Sequence, residues 1–192
     1  PGGSATLLIV IHHIITDGWS LGLMVDQITE WYETFRRGGT VAVESDPWQY
    51  ADYAYSEREW FASMDQRPHI AYWSQKLGGK LPTLPLPTDR PPGQVRRARG
   101  GTYTFVIPAP FAERLRTLGR RSGTTLYSVL FAVFKTLLYR YTGETDIMVG
   151  TPIANRKRVE LESLLGFFVS TLVLRTSLEG NPTFRELLQR VH

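Results

Sequence analysis

Residues 7–20 read LLIVIHHIITDGWS and join an apolar run to two adjacent histidines. The run from Leu7 to Ile11 is continuous and rich in β-branched residues, which predicts a buried strand. His12 and His13 follow it directly and are two of only four histidines in the chain. Successive side chains of a strand point to opposite faces. If the extended geometry continues, one histidine packs into the protein and the other faces a cleft.

The composition excludes several classes of site and partner. The 192 residues suggest one or two domains, and 42% hydrophobic residues are enough for a core. No cysteine is present, which excludes disulfides, thiolate zinc sites and cysteine nucleophiles. The arginine excess clusters only at Arg96, Arg97 and Arg99, without the basic and aromatic stripe of a nucleic-acid face. No apolar run approaches the ~18 residues of a membrane span, and no signal peptide is visible.

The residues after the histidines suggest chemistry rather than metal binding. Two histidines that point apart are poorly placed to chelate one zinc ion. Asp17 lies four residues after His13, and such an aspartate can fix the histidine tautomer or hold the loop. A neutral imidazole is a suitable general base. Without a serine elbow or a cysteine, it would act on the substrate's own amine or hydroxyl. Two merely structural histidines at a strand end remain the alternative.

The rest of the chain predicts an α/β fold. A helix from Ser20 carries apolar residues to Phe35 and is stopped by Gly38 and Gly39. Five prolines between residues 82 and 92 predict an extended connector. Four further helical segments are predicted, at 46–77, 111–121, 125–141 (nearly all apolar and therefore buried) and from Thr183 onward. Three further strands are predicted, at 102–107, 146–151 and 167–175.

Five motifs together resemble one family. HHIITDG at 12–18 matches the His-His-x-x-x-Asp-Gly motif of the condensation domains of nonribosomal peptide synthetases, in the chloramphenicol-acetyltransferase-like superfamily. YADYA at 50–54 and LLGFFVSTLVLR at 164–175 are similar to two further family motifs. The first three motifs stand in the expected order, and LPLPTDRP at 84–91 and GTPIANR at 150–156 also resemble family segments.

This resemblance implies an α+β two-layer sandwich with two lobes around a tunnel. We expect residues 1–45 to end the N-terminal lobe and to carry the histidine motif. Residues 46–100 would form a helical crossover and the proline-rich connector, and residues 101–192 would form part of the C-terminal lobe. The chain would then be an internal fragment of the family domain, incomplete at both ends and inactive alone.

The resemblance also implies the reaction and its residues. A donor acyl or peptidyl thioester and an acceptor aminoacyl thioester would form an amide. Both would be carried on 4'-phosphopantetheine arms of carrier proteins, with no cofactor bound directly. His13 is the expected catalytic residue, as a general base or as a positioning group. His12, Asp17, Gly18 and Arg156 are expected to hold the motif. Asp17 would pair with Arg156, and Gly18 would let the substrate approach the backbone.

The expected partners are donor and acceptor carrier proteins and an adenylation domain. We expect a cytoplasmic location, and no nucleic-acid or membrane partner. A coenzyme A-dependent acyltransferase of the same superfamily is one alternative, which the motifs at 50–54 and 164–175 disfavour. A non-catalytic recruitment domain is another, which the intact histidine motif disfavours.

Overall fold

A computed structural model describes residues 5–42, 48–89 and 100–192. Within them the chain forms six α-helices: α1 (Gly18–Arg36), α2 (Tyr50–Ser63), α3 (Arg67–Leu77), α4 (Ala109–Arg121), α5 (Leu126–Thr142) and α6 (Phe184–Val191). Two 3₁₀ turns, at His13–Ile15 and Val159–Leu161, and two paired strands, β1 (Asp146–Ile153) and β2 (Ser170–Ser177), complete the described elements. The mixture of helices and strands agrees with the predicted α/β class. The arginine cluster at residues 96–99 and the end of the proline-rich connector lie outside the described residues.

The chain forms two compact units, each built from separate stretches of sequence. The first consists of residues up to Ala71 together with Thr151–Leu172. The second consists of Tyr72–Gly150 and Val173–His192. The division into lobes at residues 45 and 100 concerns a complete family domain and stays a prediction. No helix in the described part of the chain is long and apolar enough to cross a membrane.

The helix ends follow local sequence signals. The Asp17 carboxylate accepts the amide of Ser20 and caps α1, which therefore starts two residues before the predicted Ser20. Thr125 caps the start of α5, and Gly143 ends the helix at φ 74°, a left-handed conformation that favours glycine. Thr183 and Glu186 form the reciprocal capping box of α6. These ends agree with the predicted boundaries within two residues.

The core of the second unit lies on one face of α5. The buried side chains come from α5, β1, the residue after β2 and α6: Val129, Ala132, Leu138, Ile147, Leu178, Leu187 and Leu188. The opposite face of α5 is exposed, including Leu130, Phe134 and Leu137. The prediction of a helix buried on all sides was therefore wrong. The described elements pack against one face of α5 only.

Lys135 lies within this core and is fully buried. Its Nζ donates to the carbonyl of Ile147 (3.2 Å), to the carbonyl of Leu174 (2.7 Å) and to Oγ1 of Thr176 (2.7 Å). All three ammonium protons therefore have acceptors on β1 and β2. Burial lowers the pKa of Lys135 to about 8.

Two predicted strands are absent from the described structure. Residues 7–11 and 102–107 form no strand, and their apolar side chains are exposed, with Val10 at 86% and Val106 at 84%. The sheet of the described residues contains only β1 and β2. A strand needs a neighbour to pair its amides and carbonyls. These β-favouring runs have no such neighbour among the described residues.

The core of the first unit is small and aromatic. Leu161, Leu164 and Phe168 are buried, and Trp48, Tyr50 and Tyr53 pack against them. The Phe168 ring lies 5.1 Å from the ring of Tyr50 and 4.7 Å from that of Tyr53. This cluster joins the YADYA helix, α2, to the segment that follows the second 3₁₀ turn.

Candidate active site

The two motif histidines sit where the chain leaves the extended conformation. His12 is still extended, at φ −74° and ψ 133°, whereas His13 begins a 3₁₀ turn. The Nδ1 atom of His12 accepts the amide of Ile14 at 3.1 Å and caps this turn. Both side chains are exposed. The expectation that one of them packs into the protein was wrong, because the turn replaces the strand geometry on which it rested.

A backbone carbonyl fixes the tautomer of His13. Its Nδ1 atom lies 2.6 Å from the carbonyl oxygen of Thr16. A carbonyl oxygen only accepts hydrogen bonds, so Nδ1 carries the proton. In the neutral ring, Nε2 then holds the free lone pair. Of the two roles considered for Asp17, the tautomer-fixing one was wrong, since the Thr16 carbonyl performs it.

His13 borders a pocket of about 320 Å³. Apart from His13 and Thr16, its lining side chains are apolar and come from the segment before the motif and from α1: Ile9, Ile11, Leu21, Met24 and Val25. An apolar wall beside a histidine lowers the local polarity around any group that reaches the imidazole.

Asp17 holds the motif loop through buried contacts. The carboxylate is completely buried and accepts the amide of Ser20 at 2.8 Å and the amide of Phe168 at 3.1 Å. The Nη2 atom of Arg156 lies 3.4 Å from its Oδ1, and the Arg156 side chain is only 2% exposed. The structure therefore brings together the two residues that the sequence analysis paired, 139 positions apart.

The electrostatics favour a charged Asp17. Burial alone would raise the pKa of its carboxyl. The hydrogen bonds from the amides of Ser20 and Phe168, together with the charge of Arg156, outweigh this effect and lower the pKa below its usual value. The ionised carboxylate is thus part of the folded loop.

Ser20 connects Asp17 to the segment at 164–168 through hydrogen bonds. Its hydroxyl accepts from Arg156 Nη2 (2.9 Å) and from the Gly166 amide (3.0 Å), and it donates to the Gly166 carbonyl (2.8 Å). The other terminal nitrogen of Arg156 donates to the carbonyls of Leu161 and Leu164. The sequence analysis missed this role of Ser20. Its partners lie far away in the sequence, so no local spacing could reveal them.

Gly166 allows Tyr50 to approach the segment closely. A Cβ atom added at Gly166 would lie 2.2 Å from a ring carbon of Tyr50, which no side chain can tolerate. The Tyr50 hydroxyl donates to the Phe167 carbonyl at 2.8 Å. The next ring, that of Phe168, lies 4.0 Å under the guanidinium of Arg156. The family motifs at 50–54 and 164–175 therefore meet each other and the histidine motif.

Gly18 and Trp19 differ in how the structure accounts for them. The Trp19 indole donates from Nε1 to the carbonyl of Glu162 at 2.9 Å, which ties α1 to the second 3₁₀ turn. A Cβ atom added at Gly18 would meet nothing within 4 Å. Packing among the described residues does not explain the glycine.

Among the described residues, no group of three acidic or histidine side chains could hold a metal ion.

Comparisons with known proteins identify the family of the chain. The family model for the condensation domain matches residues 3–192. A linear gramicidin synthase protein of Brevibacillus parabrevis is 47% identical over 97% of this chain and 4% of its own length. Phosphinothricin tripeptide synthetase PhsC of Streptomyces viridochromogenes is 37% identical over 97% of this chain and 17% of its own. The crystal structure of the X-domain from teicoplanin biosynthesis is 27% identical, with a TM-score of 0.83, over 94% of this chain and 41% of that one.

The chain belongs to the condensation-domain family, and its fold is the chloramphenicol-acetyltransferase-like α/β fold of that family. The two relatives described above are, by name, a linear gramicidin synthase and a tripeptide synthetase. The chain spans only a few per cent of the gramicidin synthase protein and less than half of the solved domain that it matches.

Proposed function

We propose that this condensation domain forms a peptide bond between a donor acyl or peptidyl thioester and an acceptor aminoacyl thioester. The observation that supports the proposal most strongly is the tautomer of His13, whose Nδ1–H donates to the Thr16 carbonyl. The free lone pair on Nε2 is thereby available at an exposed position beside an apolar pocket. A histidine in this state can accept a proton from an amine that enters the pocket.

The reaction proceeds in two stages, addition and collapse. The acceptor α-amine attacks the donor carbonyl carbon, a carbon–nitrogen bond forms, and Nε2 of His13 receives the amine proton. The tetrahedral species then collapses, the carbon–sulfur bond breaks, and the proton passes to the departing thiolate. His13 is the catalytic residue of this proposal. His12, Asp17 and Arg156 hold the loop, and Gly18 leaves room for substrate beside the backbone.

The thioesters are carried on 4'-phosphopantetheine arms of a donor and an acceptor carrier protein. The similarity to peptide synthetases supports these partners, and an adenylation domain that loads the acceptor belongs to the same proposal. Because adenylation uses ATP, we place the reaction in the cytoplasm.

The test is single-turnover transfer between two loaded carrier proteins, with the full-length protein and its His13→Ala variant. We expect the variant to lose product formation by about 100-fold or more, the usual loss of a general base. His69→Ala, an exposed histidine on α3, is the matched control and should retain activity. A His13→Ala variant with wild-type turnover would refute the proposal. Amide or ester formation from free coenzyme A thioesters, with none from loaded carriers, would favour the alternative acyltransferase.

A further inference from the structure

The His13 ring has a second neighbour besides Thr16. The Phe167 ring centroid lies 5.4 Å from that of the imidazole, with the two planes at 84°. This edge-to-face arrangement is a favourable geometry for two aromatic rings. The hydrogen bond at Nδ1 alone fixes one atom of the imidazole and leaves the ring free to swing about it. The Phe167 contact limits that swing, and the two contacts together define where Nε2 lies.

The backbone around Phe167 is clamped at three consecutive residues. The amide and carbonyl of Gly166 both bind the hydroxyl of Ser20. The carbonyl of Phe167 accepts the Tyr50 hydroxyl at 2.8 Å. The amide of Phe168 donates to Asp17 at 3.1 Å. The Phe167 side chain is thus placed by hydrogen bonds to its backbone and neighbours.

Burial in the core does not account for Phe167. The adjacent Phe168 is 2% exposed and fills the aromatic cluster, whereas Phe167 is 37% exposed. A partly exposed phenylalanine beside a buried one costs the fold little when it is replaced. The feature that singles out Phe167 is its contact with the imidazole.

We infer that Phe167 is a positioning residue for His13 and that the Tyr50 hydroxyl sets Phe167 in place. This inference rests on the proposed function and adds two residues to its machinery. It also gives a role to the first of the two tyrosines in the YADYA segment. Tyr50 lies on α2, so this helix influences the position of the imidazole indirectly, through Phe167.

The experiment compares Phe167→Leu, Phe167→Tyr and Tyr50→Phe in the full-length protein. Phe184→Leu is the matched control for the phenylalanine, because Phe184 is also 37% exposed and lies on α6 in the second unit. Tyr55→Phe is the control for the tyrosine, because Tyr55 lies on the same helix and is 67% exposed.

Two readouts are measured. The first is kcat and KM for transfer to the acceptor carrier. The second is the rate at which diethyl pyrocarbonate modifies His13 relative to His69 in the same protein, followed by peptide mass spectrometry. This ratio reports on the freedom of the imidazole, and a change in overall stability alone would not alter it.

We expect Phe167→Leu to lower kcat about tenfold, since a small displacement of a catalytic group is costly, while KM stays within about twofold. The modification ratio should change about threefold, the size of one ring contact, and Phe167→Tyr should restore both readouts. Tyr50→Phe should shift both in the same direction by a smaller factor, and the two controls should match wild type.

Wild-type kcat in Phe167→Leu, or an unchanged modification ratio, would overturn the inference. So would a loss of kcat that Phe167→Tyr does not restore. His13→Ala, assayed in parallel, separates the two proposals. An inactive His13→Ala with a fully active Phe167→Leu refutes only the positioning role, whereas a fully active His13→Ala refutes the proposed function itself.

Discussion

Replacing Asp17 with asparagine should destabilise the domain strongly. The carboxylate is completely buried, and its two oxygens face the donors of Ser20, Phe168 and Arg156. Asparagine keeps one oxygen but turns an NH₂ group toward a donor on the other side. It also leaves the buried guanidinium of Arg156 without its counter-charge. Removing one partner of a buried ion pair costs about 3–5 kcal/mol. That is a large part of the roughly 5–15 kcal/mol by which a domain is stable.

The assay is urea unfolding of a protein that contains the whole condensation domain, near neutral pH. Glu113→Gln is the matched control, since it breaks two exposed ion pairs, one with Arg116 at 3.5 Å and a closer one with Arg120 at 2.6 Å. The side chains of the closer pair are 65% and 54% exposed, so solvent screens the interaction and its loss should cost far less stability than the loss of the Asp17 pair. The longer but buried pair, at 3.4 Å, is therefore expected to matter more than the shorter exposed one. Equal losses in the two variants would show that burial is not what makes the Asp17 pair important.

Three other predictions follow from the same structure. Because the folded pKa of Asp17 lies below its ordinary value of 3.8, the stability that its charge contributes is complete above that pH. It is lost as the pH falls through the folded pKa. The difference between wild type and Asp17→Asn should therefore shrink in acid unfolding series, and a constant difference would contradict the electrostatic account. Burial lowers the pKa of Lys135 from 10.5 to about 8, so between these values the unfolded chain binds more protons and stability rises with pH. Relative to Lys135→Met, wild type should gain up to about 3 kcal/mol of unfolding free energy across that window, and a flat difference in urea unfolding would contradict this. Gly166→Ala places a methyl group 2.2 Å from the Tyr50 ring and should lower the melting temperature by several degrees, whereas Gly18→Ala, whose methyl group meets nothing within 4 Å, should not. Equal melting temperatures in calorimetry would show that Tyr50 moves aside at little cost.

The helices could be predicted from sequence because their signals are local. Thr183 and Glu186 act on one helix turn, and Gly143 ends α5 through its own backbone conformation. Only two of the four predicted strands formed among the described residues, because a strand depends on a partner elsewhere in the chain rather than on local signals. The runs at 146–151 and 167–175 overlap β1 and β2, which pair with each other. The runs at 7–11 and 102–107 have equally suitable residues but no partner in the described structure. Composition gives a segment the tendency to pair, and only a neighbour turns it into a strand.

The residues of the candidate site were likewise predictable only in part. The pairing of Asp17 with Arg156 could be anticipated from the family resemblance and the need to neutralise a buried carboxylate. The roles of Ser20 and Gly166 could not, because each depends on a contact with a residue more than 100 positions away. Tyr50 and Phe167 were quoted within motifs, but their contacts required the folded chain. Sequence reasoning identified the charges and missed the hydroxyl and the glycine that link them.

The hydrogen bond between His13 and the Thr16 carbonyl has a consequence for mutational scanning. The acceptor belongs to the main chain, so replacing the Thr16 side chain leaves it in place. The same holds for Ile14, whose amide caps the turn through His12. The three positions between His13 and Asp17 can therefore vary in side chain while the path of the backbone keeps the neutral imidazole in one tautomer. A scan of single substitutions would score these positions as tolerant and would overlook that their peptide groups determine which nitrogen reacts. Replacing the peptide bond after Thr16 with an ester, which weakens the carbonyl as an acceptor, would expose this dependence.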